Sequence, residues 1–265
     1  MGDWQIAYNC GSSAKGEGPL MQAETIHPDD DMFTGSLAHY EACGKQFALF
    51  AERAAELAGS SAPRILELPC GYGRVTRHLV KRFDPSRIEV ADIMVPAVDY
   101  TAQTFGVKGH YVVDPVNEFR SIAAAMFDIA VMGSLLTHLS ESDARTVLEH
   151  FLAKLARQGV AVVTTHGVRA HEMLSLGGWF EVAPEDKSAL LSAYAAGSYG
   201  FANYTPEQPF EKKTVDYIGK SYGVSLTPHS WMLNAVERLG FRVLDFDAGA
   251  WDNHQDVFFI ARRQA

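Results

Sequence analysis

Residues 67–75 read ELPCGYGRV, a glycine loop that follows the apolar run RILELP and leads into RVTRHLVKRF. The run before it is a predicted strand. The run after it is a predicted helix, with basic residues in its later turns where the helix dipole favours them. A dinucleotide fingerprint needs GxGxxG or GxGxxA, because the third small residue lets the helix pack closely on the strand. Here Gly71 and Gly73 are followed by Thr76, which is too large. A phosphate-binding P-loop needs GxxxxGK followed by Ser or Thr, and the chain has no such run. Pro69 stands where a glycine is expected. Proline fixes its own φ and pushes Leu68 toward an extended backbone, so the loop is stiffened at the expense of one N–H donor. Gly71 and Gly73 still allow the backbone to approach a ligand.

Working outward, strands and helices alternate. Phe47, Phe50, Ala51, Ala54, Leu57 and Ala58 recur at helical spacing up to Gly59. After the glycine loop come a strand (RIEVADI), a helix (VPAVDYTAQTF), a third strand (GHYVVDP) and a fourth (FDIAVMGSLL). ESDARTVLEHFLAKLARQG is read as one helix stopped by Gly159, and GVAVVTTHG as a fifth strand. Thr227 is expected to cap a helix with Pro228 at its first position, and FRVLDFDAG and DVFFIARR to form a closing hairpin. The fold class is therefore α/β, a Rossmann-like doubly wound seven-stranded sheet whose last two strands are antiparallel. Residues 1–60 form an N-terminal arm and helix and residues 61–265 the core. Within the core, residues 168–226 break the alternation with tyrosines and glycines and are read as an inserted lid. Ligands in such sheets sit at the carboxyl ends of the strands.

The 265 residues carry a net charge of −9, which disfavours a nucleic-acid partner, since phosphate backbones call for clustered Lys and Arg. Three scattered cysteines build neither a disulfide framework nor a CxxC metal site, and a cytoplasmic setting is expected. No apolar run is long enough to span a membrane.

Glu67, Pro69, Gly71 and Gly73, with Asp92 at the end of the next strand, resemble motifs I and II of class I S-adenosylmethionine-dependent methyltransferases, whose usual loop is (D/E)xGxGxG. The likeness runs from about Met32 to Arg263. The segments LPCGYGRV, GSLLTHL, TTHG and WDNHQDV are most similar to a bacterial branch that includes small-molecule and glycan methyltransferases. The resemblance implies S-adenosyl-L-methionine as cofactor, with Asp92 on the ribose hydroxyls, Ile93 beside the adenine, Asp114 as the polar residue after the third strand, and Gly133 in the motif after the fourth. Tyr40, expected just before the first helix, would close over the cofactor as aromatic residues do in related enzymes.

Methyl transfer to a hydroxyl needs alignment, exclusion of water and a base. Three histidines fall where strand ends or the closing loop should face the site: His138, His166 and His254. His166 or His254 is the expected general base, the latter oriented by a nearby carboxylate, with His138 near the transfer channel or bracing the next helix. Tyr199, Tyr222 and Trp251 are candidates for holding an acceptor, a small molecule or sugar, because aromatic faces stack on such rings. A homo-oligomer is left open. No metal site is expected, since HExxH is absent and no distal histidine follows His254 in an HxD pattern. Two other readings compete. One is a non-catalytic cofactor-binding scaffold on the same fold. The other is a serine hydrolase through Gly219, Ser221 and Gly223 with Asp252 and His254, although VSLTP reads as a strand where that elbow needs a helix.

Overall fold

The computed structural model describes residues 25–112, 119–177, 182–204 and 222–263. In the core, a long helix α1 (Leu37–Ala58) precedes β1 (Ile65–Glu67), a short α2 (Thr76–Leu79), β2 (Ile88–Asp92), α3 (Val95–Phe105), β3 (Lys108–Tyr111) and β4 (Phe127–Met132). Next come α4 (Glu141–Leu152) and β5 (Leu155–His166). The following segment holds α5 (Val168–Leu176), α6 (Pro184–Ala195), β6 (Gly200–Asn203) and β7 (Gly223–Leu226). The chain closes with α7 (His229–Arg238), β8 (Phe241–Trp251) and β9 (Gln255–Arg262). Seven strands form one sheet in the order β3-β2-β1-β4-β5-β9-β8, and β9 runs antiparallel to both of its neighbours. This is the Rossmann-like sheet with an antiparallel closing hairpin that the alternation predicts.

Alternation along the strands splits the core between two faces. Ile129 and Val131 of β4, Val160 and Val162 of β5, and Val257 and Phe259 of β9 pack with Phe47, Ala51 and Ala54 of α1 and Val98 of α3. Their neighbours Ala130, Met132, Ala161, Val163, Phe258 and Ile260 pack with Val147, Leu148 and Phe151 of α4 and Met232 and Val236 of α7. Between β5 and α7, a separate small cluster joins Ala170 and Leu174 of α5, Leu190 of α6, Ala202 of β6, and Val224 and Leu226 of β7. Among its described residues, the segment read as an inserted lid contains two helices and a two-stranded sheet.

Several boundaries differ from expectation, each for a physical reason. α1 begins ten residues before Phe47, capped by Ser36, whose Oγ accepts the His39 N–H, and Tyr40 lies inside its first turns rather than before it. α2 is one turn long. The chain beyond it continues in tight turns, and Pro85 bars the helical conformation at Asp84. α4 stops at Leu152 because Leu155 already pairs with Phe127 of β4, while the Lys154 ammonium donates to the carbonyls of Phe119 and Ile122. Gly159 is therefore no helix stop. It lies within β5, where a Cβ would come within 2.6 Å of the Phe127 carbonyl oxygen. Pro228, not Thr227, is the N-cap of α7.

Gly73 has a packing reason of its own. Its φ is +87°, and a Cβ there would collide with the Phe105 ring at the end of α3. Gly106, the C-terminal cap of α3 at φ +67°, has open space around it. Gly73→Ala is therefore expected to destabilise by about 2–5 kcal/mol, from backbone strain plus overpacking. Gly106→Ala should lose only about 1–2 kcal/mol, the backbone component alone. Urea unfolding of the two variants checks the difference.

Candidate functional site

A cavity of about 440 Å³ opens at the carboxyl ends of β1, β2 and β4, where an α/β sheet binds its ligands. Its floor is the loop after β1. The Cys70 N–H donates to the Ala91 carbonyl (3.0 Å) and the Gly73 N–H to the Cys70 carbonyl (3.0 Å). The Gly71 N–H donates to Asp92 Oδ2 (2.8 Å), and Asp92 Oδ1 accepts the Met94 N–H (3.0 Å). Three of the loop's own donors, on Cys70, Gly71 and Gly73, are thus used to hold its shape. The Leu68–Pro69 peptide bond is cis. Glu67, Pro69, Gly71, Asp92 and Ile93 all line the cavity; Gly73 does not.

Two buried carboxylates face this space. Burial pushes Glu67 up to about 8, opposed by the hydrogen bond from Thr76 Oγ1 (2.7 Å), and burial also raises Asp92. Arg74, the last polar residue of the loop, is the sole cation in the lining among the described residues, and its guanidinium sits 5.3 Å from the Trp251 ring centroid.

The chain before α1 forms another wall. Asp29 to Met32 line the cavity, His27 stacks on Tyr72 at 4.2 Å, and the buried Arg77 donates to the Thr25 carbonyl. Tyr40 is not in the lining. Its hydroxyl donates to Asp30 Oδ2 at 2.6 Å, so it anchors the wall rather than closing over a ligand.

The far wall is the turn after β4. Gly133 lines it, and a Cβ there would meet Phe47 at 2.8 Å and Trp251 at 3.2 Å, so glycine permits that close approach. Ser134 adopts φ +57°, a strained conformation for a residue with a side chain. It is held by its N–H to Thr164 Oγ1 (2.8 Å) and by Gln255 Nε2 to its Oγ (3.0 Å). Thr164 Oγ1 in turn donates to Gln255 Oε1 (2.7 Å).

His138 follows and reaches the cavity. Its Nδ1 lies 3.1 Å from the Gly223 carbonyl and 2.8 Å from the Tyr204 hydroxyl, and its ring stacks on Tyr222, also in the lining, at 5.0 Å. Since a carbonyl only accepts, the bond to Gly223 puts the proton on Nδ1 and leaves the lone pair on Nε2. Burial lowers its pKa to about 4. Ser140 caps α4 behind it, accepting the Asp143 N–H and donating to Asp143 Oδ2.

The structure separates the three histidines. His166 is 1% exposed, lies behind His138 with ring centroids 6.4 Å apart, and pairs through Nδ1 with the Ser225 carbonyl (3.1 Å). Burial first, then the neighbouring imidazoles, holds its pKa well below the usual range. His254 donates from Nδ1 to the Asp252 carbonyl (2.7 Å), with Gln255 Nε2 3.3 Å from its other nitrogen. Neither ring lines the cavity, unlike the arrangement expected from sequence. The carboxylate beside His254 is that of Asp252, its Oδ2 3.8 Å from Nδ1, while Asp256 Oδ1 accepts the Gly249 N–H. Tyr199 is also behind the wall, its hydroxyl within hydrogen-bond distance of the carbonyls of Leu136 (3.1 Å) and Leu139 (2.9 Å), bracing the turn that carries His138. Trp251 does line the cavity and donates from Nε1 to the Cys43 carbonyl. Asp114, Gly219 and Ser221 lie outside the described residues, and Gly223 opens β7.

Arg74, Ser134, Gln255 and Asp30 were missed by the sequence reading. Arg74 sits inside the quoted loop and Ser134 inside GSLLTHL, so both had a motif to point to them. Gln255 and Asp30 carry no local signal.

Residues 66–161 match the family described as a methyltransferase domain. No curated protein matches. Among solved structures, the chain is similar to 1,6-didemethyltoxoflavin-N1-methyltransferase of Burkholderia thailandensis, bound to 1,6-didemethyltoxoflavin and S-adenosylhomocysteine. That likeness has 14% identity and a TM-score of 0.54, covering 96% of this chain and 94% of that one. A second is an S-adenosylmethionine-dependent methyltransferase from Clostridium acetobutylicum (12% identity, TM-score 0.56, 83% and 92% covered). A third is the N-terminal domain of EvdMO1 in the presence of S-adenosylhomocysteine and D-fucose (18% identity, TM-score 0.52, 83% and 84% covered). The sheet order is the fold that these structures share, and the matched segment runs from β1 into β5 within it. Among the described residues no helix is long and apolar enough to cross a membrane.

The carboxyl of Glu67 sets a pH dependence of stability. Its pKa in the folded chain, about 8, lies above the ordinary 4.5, so the folded state holds a proton that the unfolded state has released between those values. Its stabilising contribution is complete below pH 4.5 and lost as pH rises to about 8. Urea unfolding between pH 6.5 and 8 is expected to show stability falling with pH in the wild type, with a shallower fall in Glu67→Gln. Equal slopes would contradict the assignment.

Proposed function

We propose that the protein is an S-adenosylmethionine-dependent methyltransferase acting on a hydroxyl of a small molecule or sugar. The observation that carries this reading is one cavity that joins the loop of Glu67 and Gly71, the strand-end carboxylate of Asp92, and the imidazole of His138. The donor set suits the cofactor. Asp92 retains lone pairs beyond its two backbone bonds and can accept from ribose hydroxyls. Gly71, at φ +49° with open space where a Cβ would stand, lets the backbone approach. Arg74 offers the complement to a carboxylate, and Glu67 and Asp30 the complement to cationic groups.

Bound S-adenosylmethionine supplies an electrophilic methyl group on a sulfonium. The chain's part is to exclude water and to take the acceptor's proton. Phe47, Phe119, Leu135, Leu139 and Trp251 make the cavity apolar. His138, uncharged above about pH 4 and tied at Nδ1 to Gly223, presents the Nε2 lone pair as the base. A low pKa suffices here, because the hydroxyl becomes strongly acidic as its oxygen gains the methyl carbon. Tyr222 and Trp251 offer aromatic faces for a ring-bearing acceptor. The small-molecule ligands named for the structural neighbours agree with an acceptor of that size.

Isothermal titration with S-adenosylmethionine and S-adenosylhomocysteine tests the cofactor. Asp92→Ala should weaken binding by about 10- to 100-fold, the loss of charge-assisted hydrogen bonds of about 1.5–3 kcal/mol. A wild-type protein that binds neither ligand refutes the reading.

With an acceptor found by screening sugars and phenols, His138→Asn should lower kcat by about 10²- to 10⁴-fold while leaving cofactor affinity within a few-fold. His254→Asn, outside the cavity, should retain most of the turnover. The reverse pattern would move the base to His254.

A further inference from the structure

Three side chains of different chemistry meet where the start of α1 touches the β8–β9 turn. His39 and Cys43 are four residues apart on α1 and so share one face, and Asp252 reaches them from the turn. Cys43 Sγ lies 3.4 Å from His39 Nε2, and Asp252 Oδ1 lies 2.8 Å from the same nitrogen. The ligand atoms of all three fall within 4.8 Å of one another. A nucleophilic relay would set thiol and carboxylate on opposite nitrogens of the imidazole, so that one side takes the proton while the other orients the ring. Here both converge on Nε2, as donor atoms do around a shared centre.

We propose that His39, Cys43 and Asp252 bind a borderline-soft divalent transition metal of the Zn²⁺ class, with the fourth position open to solvent. Imidazole, thiolate and carboxylate are the ligand types zinc takes. Metal bonds of about 2.0 Å to nitrogen and about 2.3 Å to sulfur, at the tetrahedral angle, put those two atoms about 3.5 Å apart. The 3.4 Å separation already matches. The nitrogen–oxygen edge would be about 3.3 Å, so the present hydrogen bond opens by about 0.5 Å on loading. The side chains of His39 and Asp252 are 46% and 30% exposed, which leaves a solvent side, while buried Cys43 forms the base of the site.

The supporting groups are in place as well. Asp252 and Asn253 adopt φ +51° and +56°, a strained turn that is pinned from α1. Gln46 donates to the Ala250 carbonyl (2.5 Å) and accepts the Asp252 N–H (3.1 Å), and the Trp251 indole donates to the Cys43 carbonyl (3.0 Å). Loading breaks the Cys43 S–H bond and forms a metal–sulfur bond, the proton passing to solvent. His39 then carries its proton on Nδ1 and gives the Nε2 lone pair to the metal. No oxidation state changes. None of the three ligands lines the cavity, so the metal would fasten α1 to the closing hairpin behind Trp251, independently of any methyl transfer.

Full-length protein stripped with a chelator and titrated with Co²⁺ tests the site. The expected result is one equivalent of Co²⁺ with a thiolate-to-cobalt charge-transfer band, displaced by Zn²⁺. Cys43→Ser should lose the band. His39→Ala, at an exposed position, should weaken Co²⁺ binding at least about tenfold, by analogy with the losses seen on disturbing metal sites, with an unchanged far-ultraviolet circular dichroism spectrum. A wild-type titration without the band, a band that survives in Cys43→Ser, or unchanged affinity in His39→Ala overturns the proposal. Because the readout is metal binding alone, its failure is separate from any failure to bind S-adenosylmethionine.

Discussion

A single carboxylate joins the two turns on which the cavity is built. Asp92 accepts the N–H of Gly71 with one oxygen and that of Met94 with the other, so the end of β2 fixes the loop after β1 and the start of α3 together. Thr101 adds a second tether from α3, its hydroxyl donating to the Gly71 carbonyl at 2.9 Å. Burial penalises the charge of Asp92 and the backbone donors offset part of that penalty. The carboxylate is therefore structural before it meets any ligand. Without it the Gly71 N–H would be left without its acceptor in a partly buried position, a loss of about 1–3 kcal/mol in addition to any lost ligand contact.

The opposite wall rests on residues far apart in sequence. Because β9 inserts antiparallel beside β5, Gln255 pairs across from His166 and reaches both Thr164 and Ser134. That network holds Ser134 in its left-handed conformation. The next turn then carries His138 into the cavity, braced from behind by Tyr199. The antiparallel hairpin is thus the element that supports the candidate base. His254, in the turn of that hairpin, spends Nδ1 on its own turn and lies against Gln255 at its other nitrogen.

The sequence exposed what is local. ELPCGYGRV and the acidic end of the next strand led to the floor of the cavity, because a glycine loop between a strand and a helix has one common use in a parallel sheet. The parallel strands up to β5 followed from their alternation with helices, and the closing hairpin from two apolar runs joined by a short turn. It did not distinguish three histidines that all follow strands or precede a turn. Their separation depends on depth: His138 is on the turn itself, while His166 is one layer back and covered by β7. The boundary of α4 was misplaced because helix propensity through Leu155 to Gln158 yields to pairing with Phe127, a contact formed with a strand 28 residues earlier. The metal-ligand set escaped for the same reason. Two of its members are at helical spacing, but the third arrives from a turn more than 200 residues later.

The electrostatics of the two walls follow one logic. On the floor, burial raises Glu67 toward neutrality, and on the far wall burial lowers His138 toward neutrality. Both shifts have the same origin, the reluctance of a dry cavity to hold an isolated charge. For the proposed cofactor this has a consequence of sign. A ligand bearing ammonium and sulfonium groups favours the ionised form of Glu67, so binding at neutral pH is coupled to release of its proton. The same positive charge disfavours protonation of His138 in the loaded site. On the proposed reading, the imidazole of His138 would thereby stay in the uncharged form that can accept a proton.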